Sequence, residues 1–256
     1  MSIRSAMAGL LFEPLRTCLD QLPDRPDGAA LAQLVARHPV LLADGRPVRF
    51  VPPRDDGLAY ECRVWEVAEV ETRPDNWHDY FNALVWLNFP ASKRAVTAAH
   101  VAAMQPRGEA RGKVRDALTH FDECGIVVLS TQADLLDLLR TFQWKALFVE
   151  RRSEVRSAMR FVVFGHATYE ALLQPFRGLT AKAVLHEVSP DCLEMERDAL
   201  NAAVDQLLAA DLASGRYVRP RDFQPLPLLG IPGVTAESED AAYYDDSWQF
   251  RPGRSA

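Results

Sequence analysis

Three clusters of polar and titratable side chains sit inside otherwise apolar stretches of this chain. They are Asn76-Trp77-His78-Asp79 with Asn82, Asp122-Glu123, and His166 with Glu170. A charged side chain is costly to bury unless it pairs or binds a metal. A fold that buries the flanking aromatics and aliphatics must therefore supply partners for these groups. It can do so with local caps and ion pairs, or by bringing the clusters to one place. Each cluster is expected near the end of an element, where sites tend to be built.

With 256 residues the chain can bury a sizeable core, and 48% hydrophobic against 25% charged residues is an ordinary globular balance. Lys plus Arg number 29 against 35 Asp plus Glu, a net charge of −6 that argues against a broadly basic nucleic-acid surface. It leaves room for a local basic groove. Cys18, Cys62, Cys124 and Cys192 are far apart and form no C-x-x-C pair. Neither a zinc ribbon nor a dithiol motif is present, and such usage suits a reducing compartment. The apolar run after Met1 is broken by Glu13 and Arg16, unlike a signal peptide. No apolar stretch is long enough to span a bilayer, so a cytoplasmic protein without membrane partners is expected.

Leu10, Leu11, Pro14, Leu15, Cys18, Leu19 and Leu22 recur at helical spacing and predict an opening amphipathic helix. A short helix is expected over 28–37. Strands are expected at Val48-Arg49-Phe50-Val51 and Arg63-Val64-Trp65-Glu66-Val67, around the turn-rich 52–57. Pro74-Asp75 starts the helix that carries the first cluster, with Asp75 as its cap. Another helix follows Phe89-Pro90 to about Met104, and 105–113 reads as an exposed loop. Ala117 to Phe121 and Ile126 to Leu129 read as strands around the turn Asp122-Glu123-Cys124-Gly125. Residues 134–156 are helical with a break near Trp144. Strand 160–164, a helix from His166 to Leu173, strand 183–188 and a long helix over 193–212 complete the body. Pro220, Pro225, Pro227 and Pro232 with Gly230 and Gly233 exclude helix or central strand and predict an extended strap. The architecture expected is α+β: a helix-rich domain over 1–235 around a small mixed or antiparallel sheet. The acidic, aromatic segment 236–256 is expected to dock on the body.

In the first cluster, His78 and Asn82 are i, i+4 neighbours and Asp79 lies i, i+3 from Asn82. A histidine beside a carboxylate and an amide can act as an oriented base or a metal ligand. The structural alternative is a helix N-terminus with a solvated His78. Asp122 and Glu123 can hold a divalent metal or do acid–base work, or can simply form a turn with Gly125. His166 and Glu170 share one helix face and can share one ion, or form a surface pair. No P-loop, dinucleotide fingerprint, H-E-x-x-H or G-x-S-x-G motif occurs.

The run Asn76-Trp77-His78-Asp79-Tyr80-Phe81-Asn82-Ala83-Leu84-Val85-Trp86, with Phe89-Pro90 and Lys93, resembles a bacterial family, domain of unknown function 3025. So do Thr119 to Gly125, Phe164-Gly165-His166, Pro225 to Gly233 and Phe250-Arg251-Pro252. The resemblance spans most of the chain and implies one bacterial cytoplasmic domain; it implies no activity and no catalytic residues. His78-Asp79, Asn82 to Trp86 and Lys93 are also similar to a pattern in some HNH-type nucleases, which place a loop and hairpin between histidine and asparagine.

The leading expectation is a metal-dependent hydrolase. His78, Asp79, Asn82, Asp122 and Glu123 are its candidate catalytic residues, and His78, Asp122, His166 and Glu170 its candidate ligands for a divalent metal. Trp77 and Trp86 are expected to wall the pocket. The competing classes are a non-catalytic binding or adaptor protein, with a small molecule or protein as partner, and an HNH-like nuclease.

Overall fold

A computed structural model describes residues 3–104 and 110–253. The strands, in chain order, are β1 (Arg49–Val51), β2 (Glu69–Glu71), β3 (Gly125–Ser130), β4 (Met159–Val163), β5 (Thr180–Glu187) and β6 (Gln224–Pro227). The longer helices are α1 (Gly28–Arg37), α2 (Tyr60–Val67), α3 (Trp77–Asn88), α4 (Pro90–Met104), α5 (Ala110–Cys124), α6 (Ala133–Arg140), α7 (Arg152–Ala158), α8 (His166–Leu173) and α9 (Arg197–Ala213). The fold is α+β.

Every residue of β3 is buried, which suits a strand covered on both faces. It runs parallel to β5, in register from Gly125 opposite Lys182 to Ser130 opposite Glu187. β4 pairs antiparallel on its other side, and β6 closes the far edge against β5. The edge is where Pro225 and Pro227 can be strand residues, because no further neighbour needs their missing N–H. β1 and β2 form a separate parallel pair.

The helices that carry the polar clusters pack on one another, α8 on both α3 and α5, while α5 and α9 pack on α4. α4 begins with Pro90, and Asp205 of α9 accepts from the N–H groups of Ala91 at 2.9 Å and Ser92 at 2.7 Å. A carboxylate on a helix N-terminus satisfies orphan donors and favours the dipole. Near the N-terminus, Phe12 packs its ring 5.9 Å from Phe81 and 5.4 Å from Tyr169. At the other end, Tyr244 and Phe250 are buried, and Trp144 Nε1 donates to the Arg251 carbonyl at 2.8 Å.

Several expectations need correction. Arg63 to Val67 is not a strand but part of α2, and the strand that follows is β2. The helix turns Arg63 and Val64 inward together and leaves Trp65 exposed, whereas alternation in a strand would separate the first two. Arg63 is 1% exposed and is held by Glu69 at 3.3 Å, Glu71 at 3.0 Å and Asp56. Ala117 to Phe121 is helix as well: Ala117, Leu118 and Phe121 form a helical stripe, and Asp122-Glu123 belong to the last turn of α5 rather than to a hairpin. The expected loop over 105–113 is helical from Ala110; its first five residues lie outside the described ones. Pro14 leaves a 3-10 turn, Leu10–Leu15, where a regular opening helix was expected. α3 is capped by Asn76, whose side chain accepts from Asp79 N–H at 2.9 Å, while Asp75 sits at φ 53°.

One backbone approach sets the site. Gly165 donates to the Gly125 carbonyl at 2.8 Å, which presses the start of α8 onto the join of α5 and β3. A Cβ on Gly165 would lie 2.5 Å from Cys124 Cα, the Glu123 carbonyl and the Gly125 nitrogen. Gly165→Ala is therefore expected to cost about 1–3 kcal/mol through forced backbone displacement. Denaturant unfolding measures it; a variant as stable as the parent would show that the two segments are free to part.

Candidate functional site

The approach of α8 to α5 brings His166 beside Asp122 and Glu123, and α3 delivers His78 from the opposite wall. The two Nε2 atoms are 3.0 Å apart. Glu123 Oε2 lies 3.5 Å from the His166 Nε2 and 3.8 Å from that of His78. Ligand atoms about 2.0–2.2 Å from a tetrahedral zinc ion are roughly 3.3–3.5 Å from one another. The sides of the triangle, 3.0, 3.5 and 3.8 Å, lie on both sides of that range, and the three residues can hold a metal ion.

The outer nitrogens support the same geometry. Nδ1 of His78 is 3.1 Å from Glu170 Oε2 and donates to it; when the ring is neutral, Nε2 carries the lone pair. A neutral His166 must then donate from Nε2 to His78, leaving its own Nδ1 bare. That atom is buried without a hydrogen-bond partner and faces the Asp122 carboxylate at 3.8 Å, lone pair against negative charge. A cation at the common point removes the conflict: both Nε2 atoms offer lone pairs, and both Nδ1–H groups face carboxylates. Histidine ligands are commonly backed by carboxylates in this way.

A buried ion pair stands behind the triangle. Lys93 Nζ donates to both oxygens of Asp122, at 2.6 and 2.8 Å, and to Asn82 Oδ1 at 2.9 Å. Asn82 in turn donates to the Tyr60 hydroxyl at 2.9 Å. Burial pushes the Asp122 carboxyl up, but the charge and hydrogen bonds of Lys93 outweigh it and hold it below the usual range. Its neighbour Glu123 is raised, through burial and then the Asp122 charge. Burial depresses His166 to about 3 and also lowers His100.

His78, Asp79, Asn82, Asp122, Glu123 and His166 all line one cavity of about 410 Å³, with Trp86, Tyr60, Lys93 and His100. They do not all reach the triangle. Asp79 is taken up by Arg73, which donates from Nε at 2.7 Å and Nη2 at 2.8 Å. Asn82 turns to Lys93 and Tyr60. Asp122 is bound to Lys93, and Glu170 stands behind His78. Trp77 lies on Phe81 at 5.3 Å, in the packing rather than on the cavity wall. The interval from His78 to Asn82 is one turn of α3, with no hairpin. Lys93 and Tyr60 are the residues that reading the clusters alone passed over. A lysine within a helix of small and apolar residues, three places after Pro90, was the available signal for Lys93; nothing local marked Tyr60.

The family model described as Protein of unknown function (DUF3025) matches residues 48–254, and the chain belongs to that family. No curated protein and no solved structure matches it. Among the described residues no helix is long and apolar enough to cross a membrane.

Two outcomes follow from the burial. In metal-free protein, folded His166 stays neutral down to about 3, while the unfolded chain protonates it near 6.5. Between those values the unfolded state binds more protons, so stability is full above the upper value and falls with pH, by at most about 1.4 kcal/mol per unit. Denaturant titrations in chelator from about pH 7.5 to about pH 5 should show this slope; a His166→Gln variant with an undiminished slope would locate it elsewhere. Lys93→Met leaves Asp122 buried without its cation and is expected to cost about 3–5 kcal/mol, much of it recovered by adding Asp122→Leu. Thermal unfolding of the single and double variants decides this.

Proposed function

We propose that this protein is a metal-dependent hydrolase with one divalent ion held by His78, His166 and Glu123. The convergence of two imidazole nitrogens and one carboxylate oxygen on the wall of an open cavity carries this reading. The donor set favours zinc or another first-row transition ion over magnesium or calcium. Three protein ligands leave a position for water or substrate.

A bound ion of this kind supplies Lewis acidity, polarising a carbonyl or phosphoryl oxygen and lowering the pKa of water. The chain's own groups do the rest. Glu170, 3.1 Å from Nδ1 of His78, orients that imidazole and raises its basicity, and the Asp122 charge 3.8 Å from Nδ1 of His166 favours a proton on that nitrogen. Lys93 places a buried positive charge on the cavity wall, where negative charge developing on a substrate oxygen is favoured. Tyr60 accepts from Asn82 and keeps its own proton to donate to substrate. Asn82 is thus a positioning residue. Asp79 acts at a distance, tying Arg73 to the first turn of α3. Trp86 and Val96 give the cavity apolar wall.

Protein purified without chelator is expected to carry about one equivalent of a transition ion. His78→Ala and His166→Ala should fold and lose it, and Glu170→Gln should weaken its affinity about 10–100-fold. Hydrolysis across a panel of chromogenic esters and phosphoesters should stop with chelator and return with the ion. Failure to take up zinc, manganese or iron on dialysis, or uptake undisturbed in both histidine variants, would sink the reading. Iron bound without hydrolysis would keep the ligand set and remove the reaction.

A further inference from the structure

A second groove, of about 640 Å³, lies across β5, β6 and the C-terminal segment. Its lining contains Lys182, Arg221 and Arg251 and no Asp or Glu. None of the three cations has an ion-pair partner among the described residues; Arg251 donates from Nε to the Trp248 carbonyl at 3.0 Å, which anchors it without neutralising it. In a chain of net charge −6, three unpaired cations in one recess are a local reversal of field.

The remaining lining points to a ligand with a ring. Trp248 is 52% exposed, with the guanidinium groups of Arg177 and Arg251 5.0 and 5.6 Å from its ring centre, so its ring already serves as a stacking surface for planar groups. Phe142, on the same groove, is the left-handed residue (φ 60°) that closes the C-terminus of α6, and its ring is half-buried there. Gln249 is buried to 4% exposure. Its Oε1 accepts from Gly178 N–H at 3.1 Å, which fixes the amide orientation, and its Nε2 is left without a partner. An unpaired buried amide N–H is costly, and a hydrogen-bond acceptor on a ligand would satisfy it.

We propose that this groove binds a nucleotide. The phosphates lie among Lys182, Arg221 and Arg251. The base lies against Trp248 and Phe142, with a ring acceptor on the Gln249 amide. This assignment is independent of the metal reading, since the groove shares no lining residue with the metal cavity.

The test is calorimetric titration of full-length, chelator-treated protein with ATP, inorganic tripolyphosphate and adenosine at low salt. ATP is expected to bind at one site, weakening about tenfold for each of Arg221→Ala and Arg251→Ala, which are exposed and should leave the fold intact. Tripolyphosphate should bind more weakly than ATP, and adenosine weakest. Trp248→Ala should bring ATP down to the level of tripolyphosphate. No ATP binding, or binding unchanged in the double arginine variant with native circular dichroism, would overturn the site. Tripolyphosphate binding as tightly as ATP would overturn its assignment to a nucleotide.

Discussion

The buried contact between Lys93 and Asp122 is the interaction on which the rest of the site depends. Taking both charges out of water is unfavourable, and it is tolerated because the ammonium uses both carboxylate oxygens and the Asn82 amide oxygen. The three groups come from α4, α5 and α3, so one ionic contact fixes the relative placement of three helices. The α4 helix is itself seated by Asp205 at its N-terminus, which links the long C-terminal helix to the position of Lys93.

Environment then assigns different tasks to chemically similar side chains. Asp122 and Glu123 are adjacent on α5, yet one is held anionic by an ammonium and the other is raised by burial and by its neighbour. Successive residues on a helix diverge by about a quarter turn. Asp122 therefore faces the far side of His166, while Glu123 faces the shared point between the imidazoles. Glu170 and Asp79 show the same division: one backs a histidine, and the other closes a cap with Arg73.

The sequence made the elements around the site legible where apolar spacing and breakers agreed, as in α1, α3, α8 and β3. It misled where a short segment fitted two periods. Arg63-Val64-Trp65-Glu66-Val67 is rich in β-branched and aromatic residues like a strand, but the helix turns Arg63 and Val64 inward together and lets Arg63 meet Glu69 and Glu71. Ala117 to Phe121 failed similarly, because Asp-Glu-Cys-Gly is turn-like in isolation, and the helix ended only where Gly125 entered the sheet. The three clusters were legible as polar residues needing partners. Which carboxylate met which imidazole was not, since that depends on the contact of Gly165 with Gly125, far from His78 in the chain.

The aromatic contact of Phe12 with Phe81 and Tyr169 has a bearing on how the family should be delimited. The family match starts at residue 48, but the ring at position 12 covers the back of α3 and α8, the two helices whose other sides present the imidazoles. The stretch that the family model covers is therefore shorter than the stretch that packs around these two helices. A fragment cut at residue 48 would keep His78, Glu123 and His166 while leaving α3 and α8 wetted from behind.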